Sequence, residues 1–400
     1  MLPPLMGTIL YNRAIWFSLA FFFLTIAYYA YRFESHGAKS TNTEKSEPVV
    51  IRKRSGPLPA PRFDRTSTLA QCLKWTRFEM AQVFKSPAFF VLLALGLLNA
   101  IGGLSFATEQ RDFIVLPVTN LMITTLNGSF TIIPMIVAIY YAGELVWRER
   151  DRRTHEVFDA CPVPDWAFVV PKILAITLVL VAMIAISVLA GAGVQAFNGY
   201  FNFEWSHYLV RYIAPNAIEA TEIAALAIFV QAMSPHKYIG WGVMALIQIT
   251  LITFGNIGYE HHLYLYGTTT PVPLSDMNGQ GTFWIGRAWF QVYWCAFALI
   301  LAVLSYALWR RGTETRLRPR LARLPRRLNG YAGVLMAFAI VVWAASGAFI
   351  FYNTNILNPY RTSVEEEAWT GDYEKSLYKY KDVPPAADHR CGAERRDLSA

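Results

Sequence analysis

Hydrophobic positions along this chain do not alternate with polar ones; they gather into eight long blocks. The blocks are Ile15 to Tyr31, Pro87 to Ala107, Ser129 to Trp147, Ala167 to Ala196, Pro215 to Met233, Tyr238 to Ile257, Ala288 to Trp309 and Tyr331 to Tyr352. Crossing a hydrocarbon core of roughly 30 Å takes about 20 residues of helix, so each block has the length of a span. Lipid leaves unpaired backbone groups unsolvated, and period-two alternation is missing, so helices are the expected solution and barrel strands are not. The pattern predicts an all-α, polytopic membrane protein with about eight transmembrane helices. The fourth block is long enough to tilt or to extend past the bilayer.

One stretch between blocks has a different period. In "TLAQCLKWTRFEMAQVFKSP", Leu69, Cys72, Leu73, Thr76, Met80, Val83 and Phe84 share one side of a helical wheel, and Gln71, Lys74, Gln82 and Lys85 the other. Thr68 and Gln71 have capping-box spacing, and Pro87 marks the turn into the next block. The prediction is an interfacial helix lying on the membrane surface, with Leu69, Leu73, Met80, Val83 and Phe84 as its apolar anchor. The preceding residues, 33 to 66, are polar, proline-rich and aperiodic, which reads as a linker.

Composition agrees: 54% of residues are hydrophobic, 15% aromatic and only 16% charged, which rules against one or two soluble domains. Charge then orients the blocks. With eight spans and the N-terminus outside, segments 32–86, 148–166, 234–237 and 310–330 share a side and carry 24 Lys or Arg, against four in the short segments opposite, the 48-residue tail lying too far from the membrane to weigh equally. That asymmetry predicts that the basic side is cytoplasmic. It also accounts for much of the net charge of +8 through orientation and anionic lipid, with no need of nucleic acid. The first block is followed by "YAYRFESHG", which has no small-residue cleavage site, so it reads as a span and not as a signal peptide.

Candidate chemistry is sparse. The stretch "GELVWRERDRRTHEVFDACPVPDW" holds eight charged residues between Glu144 and Glu156, and its "HEVFD" is one residue away from H-E-x-x-H. A zinc protease needs the second histidine, which is Asp159 here, on a helix that Pro162 and Pro164 would end, so no metal site is expected. The four cysteines lack a C-x-x-C spacing, and the topology predicts no disulfide. Adjacent His261 and His262 point in different directions and read as a solvated or hydrogen-bonded pair. Glu219 and Glu222 share a helix face; they either line a polar pathway or sit at headgroup level in a first helical turn. No P-loop and no paired nucleophile is present, so neither an enzyme nor a resident cofactor is expected.

The order of interfacial helix, span, second span, charged loop and four further spans resembles the permease of a type-2 ABC exporter. In that family the loop between the second and third helices resembles E-x-x-x-G-T-L-E, then a proline, then a lysine opening the next helix. Here the loop offers Glu149, Arg153, Thr154, His155 and Glu156, then Pro162 and Lys172; the family's Gly is Arg153 and its Leu is His155. The resemblance implies that Glu149, Arg150, Arg152, Arg153, Thr154, Glu156 and Pro162 form a coupling loop for cytoplasmic ATPase subunits. It also implies a homodimer or a second permease as partner. Mixed charge suits such a contact, although basic residues beside spans also act as plain topological anchors.

Further stretches, "SPHKYIGW", "YEHHLYLYG", "PVPLSDMNGQG", "LWRRGTETRLRPR" and the segment from Phe349 to Pro384, look like a bacterial subgroup in which two permease units are fused to a gluzincin aminopeptidase. On that resemblance, residues 1–31 are the last helix of a preceding unit, 32–66 a cytoplasmic linker, and 67–309 a six-helix unit with its elbow helix. Residues 310–330 are a basic cytoplasmic loop, 331–352 a final span, and 353–400 an extracytoplasmic tail. "PAADHRCGAERRDLSA" does not resemble the peptidase that should follow, so the expectation is a truncated or frameshifted end. The rival expectation is a membrane anchor, a remnant of a peptidase-fused permease that transports nothing.

Overall fold

The structure is a computed structural model and describes residues 8–30, 65–110, 113–160, 164–275, 277, 279–312 and 317–381. The chain divides into two units, Met1–Pro61 and Arg62–Ala400. The first unit contributes one helix, α1 (Thr8–Ala30), which covers the first predicted block as far as Ala30. The predicted linker lies outside the described residues apart from its last two positions.

Among its described residues the second unit is helical, with one short hairpin, Glu109–Gln110 against Phe113–Ile114, and an isolated bridge between Ser275 and Gly279. It begins with α2 (Arg65–Phe84) and α3 (Pro87–Thr108), followed by the hairpin, α4 (Thr119–Ser129), α5 (Ile132–Asp151) and the short α6 (His155–Ala160). Next come α7 (Trp166–Phe197), α8 (Trp205–His207), α9 (Ala214–Met233), α10 (Lys237–Asn256), α11 (Phe283–Ala307) and the basic α12 (Leu317–Arg327). The last are α13 (Tyr331–Phe351) and α14 (Ser363–Leu377). Six of these helical rods have span length and apolarity among the described residues, and α4 with α5 makes a seventh if that bent pair is one span.

Two predicted boundaries are corrected by proline. The third block, Ser129 to Trp147, is α5 from Ile132 onward, and a further apolar helix, α4, precedes it and is bent from it by 46° at Phe130–Thr131. Pro134 has no N–H to give to Phe130, and its ring crowds that carbonyl, so the ladder breaks there. The fifth block, drawn from Pro215, belongs to a rod starting at Trp205. A π-helical turn, Tyr208–Ile213, precedes Pro215 and takes up the misfit its ring creates at Arg211. Glu219 and Glu222 therefore stand well inside this rod, beyond its first turn.

Helix α7 is the axis of the bundle, packing against α2, α3, α5 and α9. Ala220, Ala224, Ala225 and Ala227 are all buried on α9, and these small side chains let neighbouring backbones approach it. Met122, Leu126 and Phe130 belong to the same buried core as Ile176, Leu180 and Met183. At the edge, α10 meets α5 and α9 around the buried Gln231, which accepts from Trp147 Nε1 at 3.0 Å. Gly143 and Gly240 are needed there, because a Cβ at either would collide with Trp241 or the Gln231 amide.

Candidate functional site

The end of the bundle carrying α6 and α12 is the basic end, and it is built from α2 outward. Cys72, Thr76, Glu79 and Val83 form the buried stripe of α2, whereas Leu69 and Leu73 are exposed on another side. Of the predicted anchor, Val83 is buried, and Met80 and Phe84 are half-buried against the core. Burial pushes the Cys72 thiol up, away from reactivity. Cys295 is the other described cysteine, free and on α11.

Glu79 is fully buried, and it had not been singled out in the sequence. Its carboxylate lies 2.8 Å from Lys172 Nζ of α7 and 2.7 Å from Arg148 of α5. Lys172, itself 1% exposed, also donates to Glu149 Oε1 at 2.9 Å and to the Leu145 carbonyl at 2.9 Å. All three ammonium hydrogens are thus used, and two acids balance two bases. The cluster ties the interfacial helix, the helix leading into the charged loop and the helix leaving it. An acid in the apolar stripe of α2 and a lysine inside an apolar block were the signals that could have been read together.

The loop itself closes with helix-end chemistry. Thr154 N–H donates to Glu149 O at 2.9 Å and Arg153 N–H to Arg150 O at 3.0 Å, the paired bonds of a Schellman turn. Such a turn needs a left-handed residue at its centre, and Arg153 has φ 55°. The position where the resembled motif carries glycine is therefore a glycine-favouring position here as well.

Helix α6 is then held from the side. Gly312 N–H donates to Asp159 Oδ2 at 2.7 Å and Arg311 Nε to the Asp159 carbonyl at 3.0 Å. Asp165 pairs with Arg311 at 2.9 Å and with Arg327 of α12 at 3.3 Å. Arg150 donates to Arg310 O at 2.7 Å, and the buried Arg320 donates to Ala232 O and Leu308 O, where carbonyls of α9 and of the end of α11 await donors. Lys237 adds a link from α10 to Asp151 at 2.8 Å.

The predicted loop residues therefore divide. Glu149 and Arg150 turn inward to the bundle, whereas Arg152, Arg153, Thr154 and Glu156 are exposed, together with Val157 at 69%. Pro162 lies outside the described residues. No group of three or more His, Cys, Asp or Glu side chains suited to a metal occurs among the described residues.

Away from this end, His261 hydrogen-bonds Thr354 and His262 hydrogen-bonds Thr268, each at 3.0 Å. Glu222 is buried, and with Glu219 it lines a cavity beside α5 and α7. Polar links hold the elements around it: Arg211 to Asn120 at 2.8 Å, Asn216 to Asn127 at 3.1 Å, and Ser187 to Tyr212 at 3.0 Å.

A family model described as "ABC-2 family transporter protein" matches residues 6–345. No curated protein matches the chain.

Proposed function

The chain belongs to the ABC-2 family of transporter proteins, and from that premise we propose that it is the membrane permease of an ABC exporter, driven by separate ATPase subunits that dock on residues 152–157 at the basic end. The observation carrying this reading is the buried cluster Glu79–Arg148–Glu149–Lys172 directly behind an exposed loop. A permease without a P-loop must receive force from outside, and force is transmitted only by an element fixed to the spans. The loop meets that requirement: α5 and α7 continue from it, and Asp159 and Asp165 fasten it to α12 and to residues 310–312.

On this reading the exposed face makes the contact and the inward residues pass the motion on. Arg152 and Glu156 supply charge of both signs for partner choice, and Val157 supplies apolar area. The basic end is then the cytoplasmic side of a bacterial plasma membrane, with the N-terminus outside. A homodimer or a second permease unit completes the pathway, in keeping with the resemblance to permeases fused to an aminopeptidase.

Co-purification with the candidate ATPase tests the proposal. The double variant Arg152→Glu/Glu156→Lys should lose the partner or its stimulated ATPase activity while inserting normally, because like charges set opposite each other cost several kcal/mol. Equal recovery and equal stimulation would remove the docking role and favour a scaffold without transport.

A further inference from the structure

Two adjoining cavities lie between α4, α5, α9 and the segment linking α10 to α11. The first, about 240 Å³, is lined by Phe130, Leu180, Tyr212, Glu219, Glu222 and Tyr266, among others. The second, about 290 Å³, shares Glu219 with it and adds Arg287 from α11. One oxygen of Glu222 accepts from the Cys295 thiol at 3.4 Å, while the other, Oε2, is buried without a partner. That oxygen faces the cavity wall at Gly267, where a Cβ would stand 3.6 Å from it, and Gly267 itself lines the first cavity.

When both acids are ionised the charges do not balance: Glu219 and Glu222 are two carboxylates, and Arg287 is the one cation among the residues lining the two cavities. A carboxylate taken out of water without compensation is strongly unfavourable, so one further positive charge is required. A proton on Glu222 would neutralise it but would bring no partner to Oε2, which has none. A ligand that brings its own N–H donors satisfies both charge and hydrogen bonding. The aromatic rings of Phe130, Tyr212 and Tyr266 suit a cation carrying an apolar body.

We propose that these cavities bind an organic monocation, an alkyl- or arylammonium, with its charged group at Glu222 and Glu219. A zwitterionic lipid headgroup would bring a phosphate into a site already in negative excess, which favours a soluble ammonium. That this ligand is cargo rests on the permease reading; that it binds does not, and binding is measured with no ATPase present.

The test uses the full chain in phosphatidylglycerol nanodiscs, titrated with 2-phenylethylammonium and with 2-phenylethanol, its neutral counterpart. Saturable binding of the ammonium is expected, with the alcohol weaker by about tenfold or more. Glu222→Gln and Glu219→Gln should each lose about that factor, because either one neutralises the excess charge. Arg287→Gln, which deepens the excess, should hold or tighten binding. Should Glu222→Gln fail to fold, the other two variants still oppose each other in sign. Phosphatidylethanolamine in the disc should not compete, and competition would overturn the choice of a soluble ligand. Equal binding of the alcohol, unchanged binding in both Gln variants of the acids, or no saturable binding to the folded wild type would overturn the site.

Discussion

Glu79 and Lys172 meet at 2.8 Å although 93 residues separate them, each nearly or wholly buried and each on a helix whose other buried residues are mostly apolar. The pair joins α2 to α7, and through Arg148 and Glu149 it also holds α5. Removing one partner leaves a buried net charge, so Glu79→Met or Lys172→Met alone should cost about 3–5 kcal/mol. The double variant Glu79→Met/Lys172→Met leaves Arg148 beside Glu149 at 3.8 Å, a neutral remainder, and should cost less than the sum of its single changes. Thermal unfolding of all four proteins in one detergent gives the cycle. Simple additivity would show that the pair is not coupled.

Arg153 holds a left-handed conformation at the centre of a Schellman turn, with φ 55°. A side chain there meets its own following carbonyl, at a cost of roughly 1–2 kcal/mol per residue. Arg153→Gly should therefore raise stability by about 1 kcal/mol, while Arg153→Val should lower it because β-branching worsens the clash. Differential scanning of the purified variants separates the two directions.

Much of the fold was legible because lipid imposes a coarse rule, and block length alone locates the spans. What the blocks could not carry was polar structure satisfied at long range. The predicted fifth block begins only at Pro215, whereas the rod begins at Trp205, where Arg211 finds Asn120 and Tyr212 finds Ser187. Leu69 and Leu73 shared a wheel face with Val83, but a wheel does not distinguish a face turned to lipid from one turned to protein. Asp159 and Asp165 carry no local sign of their partners, which lie 146 to 162 residues further along, at Arg311, Gly312 and Arg327. The loop's left-handed turn was foreshadowed by the glycine of the resembled motif.

The opposite end should loosen in acid. Burial holds His261 and His262 below their ordinary value of 6.5, with His262 adding to the effect on His261. The folded state thus favours the neutral rings, and the unfolded state takes up more protons once the pH falls below 6.5. Stability from these rings is complete above that value and declines beneath it. Glu260 is held below 4.5 by Ser363, so it stays ionised over this range and contributes no loss there. Hydrogen exchange in residues 258–268 and 352–365, corrected for intrinsic rates, should quicken between about pH 7.5 and about pH 5, and His261→Asn should flatten the change.

Orientation is the prediction on which the docking proposal depends. The segments that the sequence predicts on the basic side hold 24 of the chain's Lys and Arg, and the short segments predicted opposite hold four. Arg320 and Arg327 cap carbonyls of α9 and of the end of α11, so much of that charge is built into the bundle and does not trail from it. Because translocating fixed cations is costly, this end should remain in the cytoplasm. A cysteine-free background with Met277→Cys, which is 94% exposed at the opposite end, should react with an impermeant maleimide in intact cells. Arg152→Cys, exposed on the charged loop, should react only after the membrane is opened. The reverse pattern would set the loop on the side without ATP, where no ATPase subunit could dock on it, and would leave the cavity at Glu222 facing the cytoplasm.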